Sequence, residues 1–365
     1  MKLFGKVTRV KNLLLRKVKL RLLISWCLMR KRGNRSFEPA SMKKVLLLRL
    51  DDKIGDMVVA TGVIKKLADS GHQVSILSGA ACKNMLSGVK HIAKFYIYQR
   101  RESLRALKKQ HFDVVIDFDD VTTYERCRLI YKLGARHTIG FNKQGYPMYD
   151  TSIDFLDAET HVTERHKRVL RLLGVGCAEY CYDLEPTPAS VDKVSAALAG
   201  LRYNFLVAIN PFTGSADKDL SRQQTQDIIS LIKSRAKNSL IVLIGQESKV
   251  AALNMADCIY IPGSTVNTAV EIVKRADLII SPDTSIVHMA CAFNKRLVAI
   301  YNQRKLKDTG LPGHVIWSPN YGNAVQIVTE KENVSDVPVE VINQQIGEQI
   351  ALMENERSLR REVAL

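Results

Sequence analysis

The stretch DLIISPDTSIVHMACAFNKRLVAIYN, residues 277–302, decides the fold. Two apolar runs of strand length flank a segment of helical spacing, and a connection that long implies a parallel pair joined by a crossover helix. Between the first run and the helix stand Ser281, Pro282, Asp283, Thr284 and Ser285. Hydroxyls and free N–H groups at a helix amino end, on the carboxyl edge of a parallel sheet, are suited to a diphosphate. His288 falls on the first turns of that helix. A core histidine and a ligand-facing one are both open readings there, as are a helix cap and a ligand contact for Asp283.

Upstream, the same alternation runs through FLVAIN (205–210), a helix near 221–236, SLIVLIG (239–245), CIYIPG (258–263) as a further strand, and a helix near 266–276. The turn after the first of these strands, NPFTGSADKDLS (210–221), sets Thr213, Gly214 and Ser215 beside Lys218. Small hydroxyl residues, exposed N–H groups and a lysine can hold phosphate oxygens; a polar turn with a solvated lysine is the plainer alternative.

An earlier α/β series precedes it: VLLLRL (45–50), VSILSG (74–79), KFYIY (94–98), DVVIDF (113–118) and HTIGF (137–141), with helices at about 56–69 and 101–110. HVTERHKRVLRLLGV (161–175) reads as its closing helix, and DLEPTPAS (183–190) has the prolines of a connection between domains. The segment 337–356 reads as a helix that crosses back over the first domain. At the first strand-to-helix transition, RLDDKIGDMVVATGVIKKL (49–67), Gly55 permits a tight turn and the helix amino end favours the carboxylate of Asp56. Taken alone, Asp56 is an ordinary helix-start residue. The stretch is neither G-x-G-x-x-G nor a P-loop, so no dinucleotide or triphosphate site follows from it.

The chain of 365 residues exceeds what one core usually organises, and 46% hydrophobic with 25% charged residues is a globular composition. Its seven cysteines are scattered, the pattern of reduced thiols in a cytoplasmic protein. No uninterrupted apolar run reaches the roughly 18 residues of a spanning helix. The net charge of +17 is concentrated at one end: residues 1–37 hold twelve Lys or Arg and no acid, which leaves +5 for the rest. Basic residues there alternate with Leu3, Phe4, Val7, Leu14, Val18, Leu22 and Trp26, as in an interfacial helix on an anionic membrane. A solvated or domain-packing helix, a targeting segment and nucleic-acid contact are the other readings of this tail. With the charge confined to it and no nucleic-acid fingerprint in the body, the reading carries no nucleic-acid partner.

RLDDKIGDMVVATGVIKKL, DVVIDF, HVTERHKRVLRLLGV, NPFTGSADK and SPDTSIVHMACAFNKRLVAIYN, in this order and spacing, resemble the lipopolysaccharide heptosyltransferases of glycosyltransferase family 9, over roughly residues 42–305. The resemblance implies an α/β protein of GT-B fold, two Rossmann-like parallel-sheet domains facing a central cleft. The domains would be an acceptor domain at 41–190 and a nucleotide-sugar domain at 201–330, with the basic segment 1–40 ahead and a helix and tail at 331–365. It further implies ADP-L-glycero-D-manno-heptose as donor, the lipopolysaccharide inner core as acceptor, no cofactor, and work at the cytoplasmic face of the inner membrane.

Residue by residue, Asp56 matches the family's catalytic aspartate and Lys218 its donor-phosphate lysine. Thr213, with Gly214 and Ser215, falls where donor-binding hydroxyls occur. Asp283, Thr284, Ser285 and His288 match D-T-G-x-x-H, and Glu247 falls where an acidic residue meets the nucleotide ribose. Two departures stand out: Ser285 replaces the glycine of that signature, and the tryptophan-rich continuation after Lys218 is absent. The mechanism implied is an inverting, metal-independent displacement with Asp56 as base. DFDD (117–120) has the D-x-D spacing of metal-dependent transferases but ends a strand of the first half, and Cys177 with Cys181 lacks partners for a zinc site. Rival readings are a family member that moves another sugar or serves a later core position, and a polyanion-binding protein acting through its tail.

Overall fold

A computed structural model describes residues 2–30, 37–98 and 102–363. Lys31, Arg32 and Arg35 of the basic segment lie outside the described residues. The first half consists of α1 (Lys2–Met29), β1 (Lys44–Arg49), α2 (Ile54–Asp69), β2 (Gln73–Ser78), α3 (Ala80–Met85), β3 (Lys94–Ile97), α4 (Glu102–Lys108), β4 (Val114–Asp117), α5 (Tyr124–Leu133), β5 (His137–Phe141), β6 (Thr151–Ile153) and α6 (Val162–Leu172). Then follow α7 (Pro188–Leu198), β7 (Phe205–Ile209), α8 (Arg222–Arg235), β8 (Ser239–Leu243), α9 (Glu247–Leu253), α10 (Val266–Arg275), β9 (Leu278–Pro282), α11 (Ser285–Ala292), β10 (Arg296–Asn302), α12 (Gly313–Ile316), β11 (Ala324–Thr329) and α13 (Val339–Val363).

Both sheets are parallel. The first has the order β3-β2-β1-β4-β5-β6 and the second β11-β10-β9-β7-β8. Helices cover both faces, which is why β1 and β7 bury nearly every residue instead of alternating. In each sheet the order reverses beside the first strand, and the crevice above that point is where ligands of doubly wound sheets bind.

The sequence reading differs from the structure at three places. CIYIPG is not a full strand: Ile259 makes one parallel bridge to Val242, and the left-handed Asp257 and Gly263, with Pro262 lacking a donor, stop the ladder there. β6 and β11 are edge strands outside the apolar runs read above: β6 has only three residues, and β11 is mostly half-buried, with Gln326 breaking its apolar run. The last helix does not cross to the first domain. Ile342, Ile346, Ile350 and Met353 of α13 join Ile228, Ile229 and Ile232 of α8 in one buried cluster, so α13 completes the second half.

The two halves meet chiefly through α2 and α11. A Cβ on Gly55 would lie 3.3 Å from the His288 ring and 3.4 Å from Ser285 Cα, so the bare glycine lets the two helix starts approach. The seam is also stitched by Asn267 of α10, whose side chain accepts the Thr187 N–H at 2.6 Å and donates to the carbonyls of Asn84 and Met85 at 3.2 and 3.3 Å. One apolar core runs through the seam. At the other edge, α1 packs on α5, with Cys27 buried and Leu20, Leu23 and Ile24 partly so, while Leu14, Leu22 and Met29 stand exposed.

Candidate active site

A cavity of about 1220 Å³ opens between the carboxyl edges of the two sheets. Asp56, Thr213, Gly214, Ser215, Lys218, Glu247, Asp283, Thr284, Ser285 and His288 all reach its wall, brought there from five separate strand ends and helix starts.

Asp56 stands on the first turn of α2 and pairs with Arg49 from the end of β1. The same guanidinium donates to the Phe118 carbonyl at 3.1 Å and lies 3.4 Å from Asp119. Behind it, Arg126 bonds Asp117 at 2.6 Å and also pairs with Asp119, and Arg165 bonds Asp120 at 2.5 Å. The three carboxylates of DFDD are thus each engaged by arginine. Burial pushes the Asp117 carboxyl up despite Arg126, whereas Asp119 resists its burial because Arg49 and Arg126 hold it below the usual carboxylate range. Asp52, in the left-handed region, caps α3 by accepting the N–H groups of Ala81 and Cys82 at 3.1 and 2.9 Å.

Opposite lies the loop after β7. Thr213 Oγ1 donates to the Ser215 carbonyl at 2.7 Å and accepts its N–H at 2.9 Å, folding the loop into a tight polar turn. Lys218 pairs with Asp283 from the end of β9. Burial raises the Asp283 carboxyl and Lys218 draws it back. Thr284 caps α11, and its hydroxyl is held by Asn210 and Ser281 at 3.0 Å each. The start of α11 with its free N–H groups therefore sits beside a lysine, and both face the start of α2. Glu247 accepts the Gly263 N–H at 2.8 Å, which ties α9 to the loop before α10 and forms a slot with Tyr260 and Ile261.

His288 is buried, its Nδ1 without a hydrogen-bond partner among the described residues, its ring edge-on to Tyr182 and Trp317. Burial, and secondarily His161, drives its pKa down to about 3. The ring is therefore neutral, and it lies where the seam between the halves meets the cavity wall.

Sequence reasoning missed two groups. Arg49, Arg126 and Arg165 were passed over, although a lone arginine closing the apolar run VLLLRL was a visible signal. Arg304, Lys305 and Lys307 form a cationic loop after β10 that also lines the cavity. Arg304 bonds Asp217 at 2.5 Å and Ser215 at 3.2 Å. Against the upward push of burial, Ser215 and Arg304 hold Asp217 down at about 2. Nothing in the spacing marked that loop.

Two parallel-sheet domains facing a cleft between their carboxyl edges make up the GT-B fold. The chain belongs to glycosyltransferase family 9 (heptosyltransferase), whose family model matches residues 100–339. It is 25% identical over 353 residues to the Escherichia coli (strain K12) protein named "Putative lipopolysaccharide heptosyltransferase 4", covering 94% of this chain and 97% of that one. Among solved structures, E. coli ADP-heptose lps heptosyltransferase II superposes with a TM-score of 0.68 at 15% identity, over 86% of this chain and 100% of that chain. E. coli heptosyltransferase WaaC with ADP-2-deoxy-2-fluoro heptose gives 0.65 at 15% identity, over 84% and 99%. Among the described residues, no helix is long and apolar enough to cross a membrane.

Proposed function

We propose that this chain transfers heptose from ADP-L-glycero-D-manno-heptose to the inner core of lipopolysaccharide, without a metal and with inversion at the anomeric carbon. The observation that carries the reading is the approach of two helix starts across one cleft, α2 bearing Asp56 and α11 flanked by Lys218. It is supported by the names of the similar proteins, one a lipopolysaccharide heptosyltransferase and one a heptosyltransferase with an ADP-heptose analogue.

In this reading the acceptor hydroxyl oxygen attacks the anomeric carbon, its proton passes to the Asp56 carboxylate, and the bond from that carbon to the diphosphate oxygen breaks. A carboxylate is a weak base, adequate where the leaving-group bond is largely broken in an oxocarbenium-like transition state. Charge then grows on the departing ADP, where Lys218 and the N–H groups opening α11 stabilise it without reorganising. Thr213, Gly214 and Ser215 hold the phosphates, and Glu247 with the Tyr260 slot takes the nucleoside. The lipid-linked acceptor suits residence at the cytoplasmic face of the inner membrane, with the basic segment 1–37 against anionic lipid. A second reading, transfer of another sugar or to a later core position, draws support from Ser285, whose side chain stands where the signature has glycine.

The test is mass spectrometry of heptose-deficient lipopolysaccharide core incubated with the protein and ADP-heptose, or with UDP-linked hexoses, beside Asp56→Ala. A heptose-sized mass gain lost in the variant is the expected result. Transfer from a UDP-hexose and not from ADP-heptose overturns the donor, and full activity of the variant overturns the base.

A further inference from the structure

Arg49 is the least expected residue of the cleft: a cation that follows four buried aliphatic residues at the end of β1 and is itself only 6% exposed. Carboxylates surround it on three sides. Asp56 pairs with Nη2, Asp119 lies 3.4 Å from Nη1, and Asp51 stands 4.0 Å from Nε while itself paired to Lys53 at 3.2 Å. The Phe118 carbonyl takes a further bond from Nη1 at 3.1 Å. The anchors are rigid in turn. Asp119 accepts the Leu50 N–H at 3.1 Å and is paired with Arg126, and the Phe118 carbonyl also accepts from Arg165 at 2.7 Å.

We propose that Arg49 is the positioning residue of the transfer reaction: clamped from behind by Asp119 and the Phe118 carbonyl, its guanidinium fixes the Asp56 carboxylate toward the cleft. The proposal rests on the reading of Asp56 as the base. A guanidinium is planar and presents several donors in a fixed fork, so it spans the anchor and Asp56 at once and sets the direction of the carboxylate as well as its distance. An ammonium is a compact charge on a flexible stem whose three donors form no fixed fork, so it does not set the carboxylate's direction. Placement of the base is worth a great deal in such a step, since a shift of about 1 Å costs on the order of 10²-fold in rate. Arg49 is distant in the chain from the loop 213–218 and from α11, and it pairs with neither Lys218 nor Asp283. Its removal therefore leaves donor binding in place.

The experiment compares Arg49→Lys, Arg49→Ala, Asp119→Asn and Asp56→Asn in the full chain. Steady-state transfer, ADP binding by calorimetry and thermal unfolding are measured for each, and transfer is repeated with added guanidinium chloride at non-denaturing concentration. Arg49→Lys keeps the charge and is the variant expected to remain folded. The expected result is a loss of kcat of about 10²-fold in Arg49→Lys, with KM for the donor and ADP affinity within about threefold of the parent, a smaller loss in Asp119→Asn, and at least tenfold recovery of Arg49→Ala by guanidinium. A kcat for Arg49→Lys within threefold of the parent overturns the proposal, as does a loss carried by donor KM or ADP affinity. If Asp56→Asn retains activity, the base reading fails and this proposal with it. If Asp56→Asn is inactive and the Arg49 variants are not, the positioning role alone fails.

Discussion

Lowering the pH from 7.5 to 5 should strip several kilocalories from the stability of this protein through three histidines, His166 and His288 buried and His161 half-buried. His161 and His288 are pushed down to about 4 and about 3 by burial, and His166 is driven well below its ordinary value by burial and then by Arg165. The hydrogen bonds of His161 fit a neutral ring. His161 Nδ1 accepts the Thr163 N–H at 3.2 Å while Nε2 donates to the Ser318 carbonyl at 3.1 Å, across to the second half. A proton on Nδ1 would set donor against donor. Because each folded pKa lies below the unfolded 6.5, the unfolded chain binds more protons below that pH. The stability is fully present above about pH 6.5 and lost as pH falls toward the folded values. At pH 5 His161 and His288 have each crossed about 1.5 units at about 1.4 kcal/mol per unit, or about 2 kcal/mol apiece and about 4 kcal/mol for the two, and His166 acts in the same direction. Asp117 and Asp283, raised by burial, act in the opposite sense where pH passes through their own range. Urea unfolding at half-unit pH intervals measures the slope directly. His161→Asn keeps a helix-capping acceptor but no titration, and should flatten the slope by about one proton. A urea midpoint that is unchanged between pH 7.5 and 5, or a His161→Asn slope equal to the parent's, would refute the reasoning.

Four further outcomes follow from the geometry. Lys218→Ala leaves Asp283 without its counter-charge and removes a cation facing the leaving group, so calorimetry should show ADP affinity falling about tenfold or more, the scale of one charge-assisted bond. Gly62→Ala would set a Cβ 2.5 Å from the Tyr180 ring, against a side chain held by its bond to the Val59 carbonyl at 2.7 Å; a loss of about 1–3 kcal/mol in chemical denaturation is expected. Ile346→Ala in the buried α13 cluster should cost about 2–5 kcal/mol by the same assay. Removing residues 1–30 should abolish co-sedimentation with phosphatidylglycerol vesicles but not with neutral ones, while ADP binding persists.

Much of this was written in the residues. The apolar runs at 45–50, 205–210 and 277–281 identified the central strands because a strand buried on both faces must be aliphatic throughout. The ten candidate residues converge because a parallel sheet sends every strand's carboxyl end to the same edge. The sequence was opaque where structure depends on neighbours. CIYIPG has strand composition but lies at an edge, beside Pro262 and the left-handed Asp257 and Gly263. The partner of α13 could not be read from α13, since an amphipathic helix shows which face it buries and not against what. Nor could Arg49 be paired with Asp56 and Asp119, which lie 7 and 70 residues away and meet it only once β1 and β4 are side by side.

The placement of α13 has a consequence for how the chain is made. α8 is complete at Arg235, yet the cluster around its Ile228, Ile229 and Ile232 is closed on the α13 side only when Ile342 to Met353 emerge. At about 5–20 residues per second, more than a hundred residues of synthesis leave that greasy face bare for roughly 5–20 seconds. The first half has every strand of its own sheet by Ile153 and can condense behind the ribosome, while the second must wait with an adhesive surface turned to the cell. Synthesis thus leaves the second half the later of the two to close, and the longer exposed to chaperone capture and aggregation.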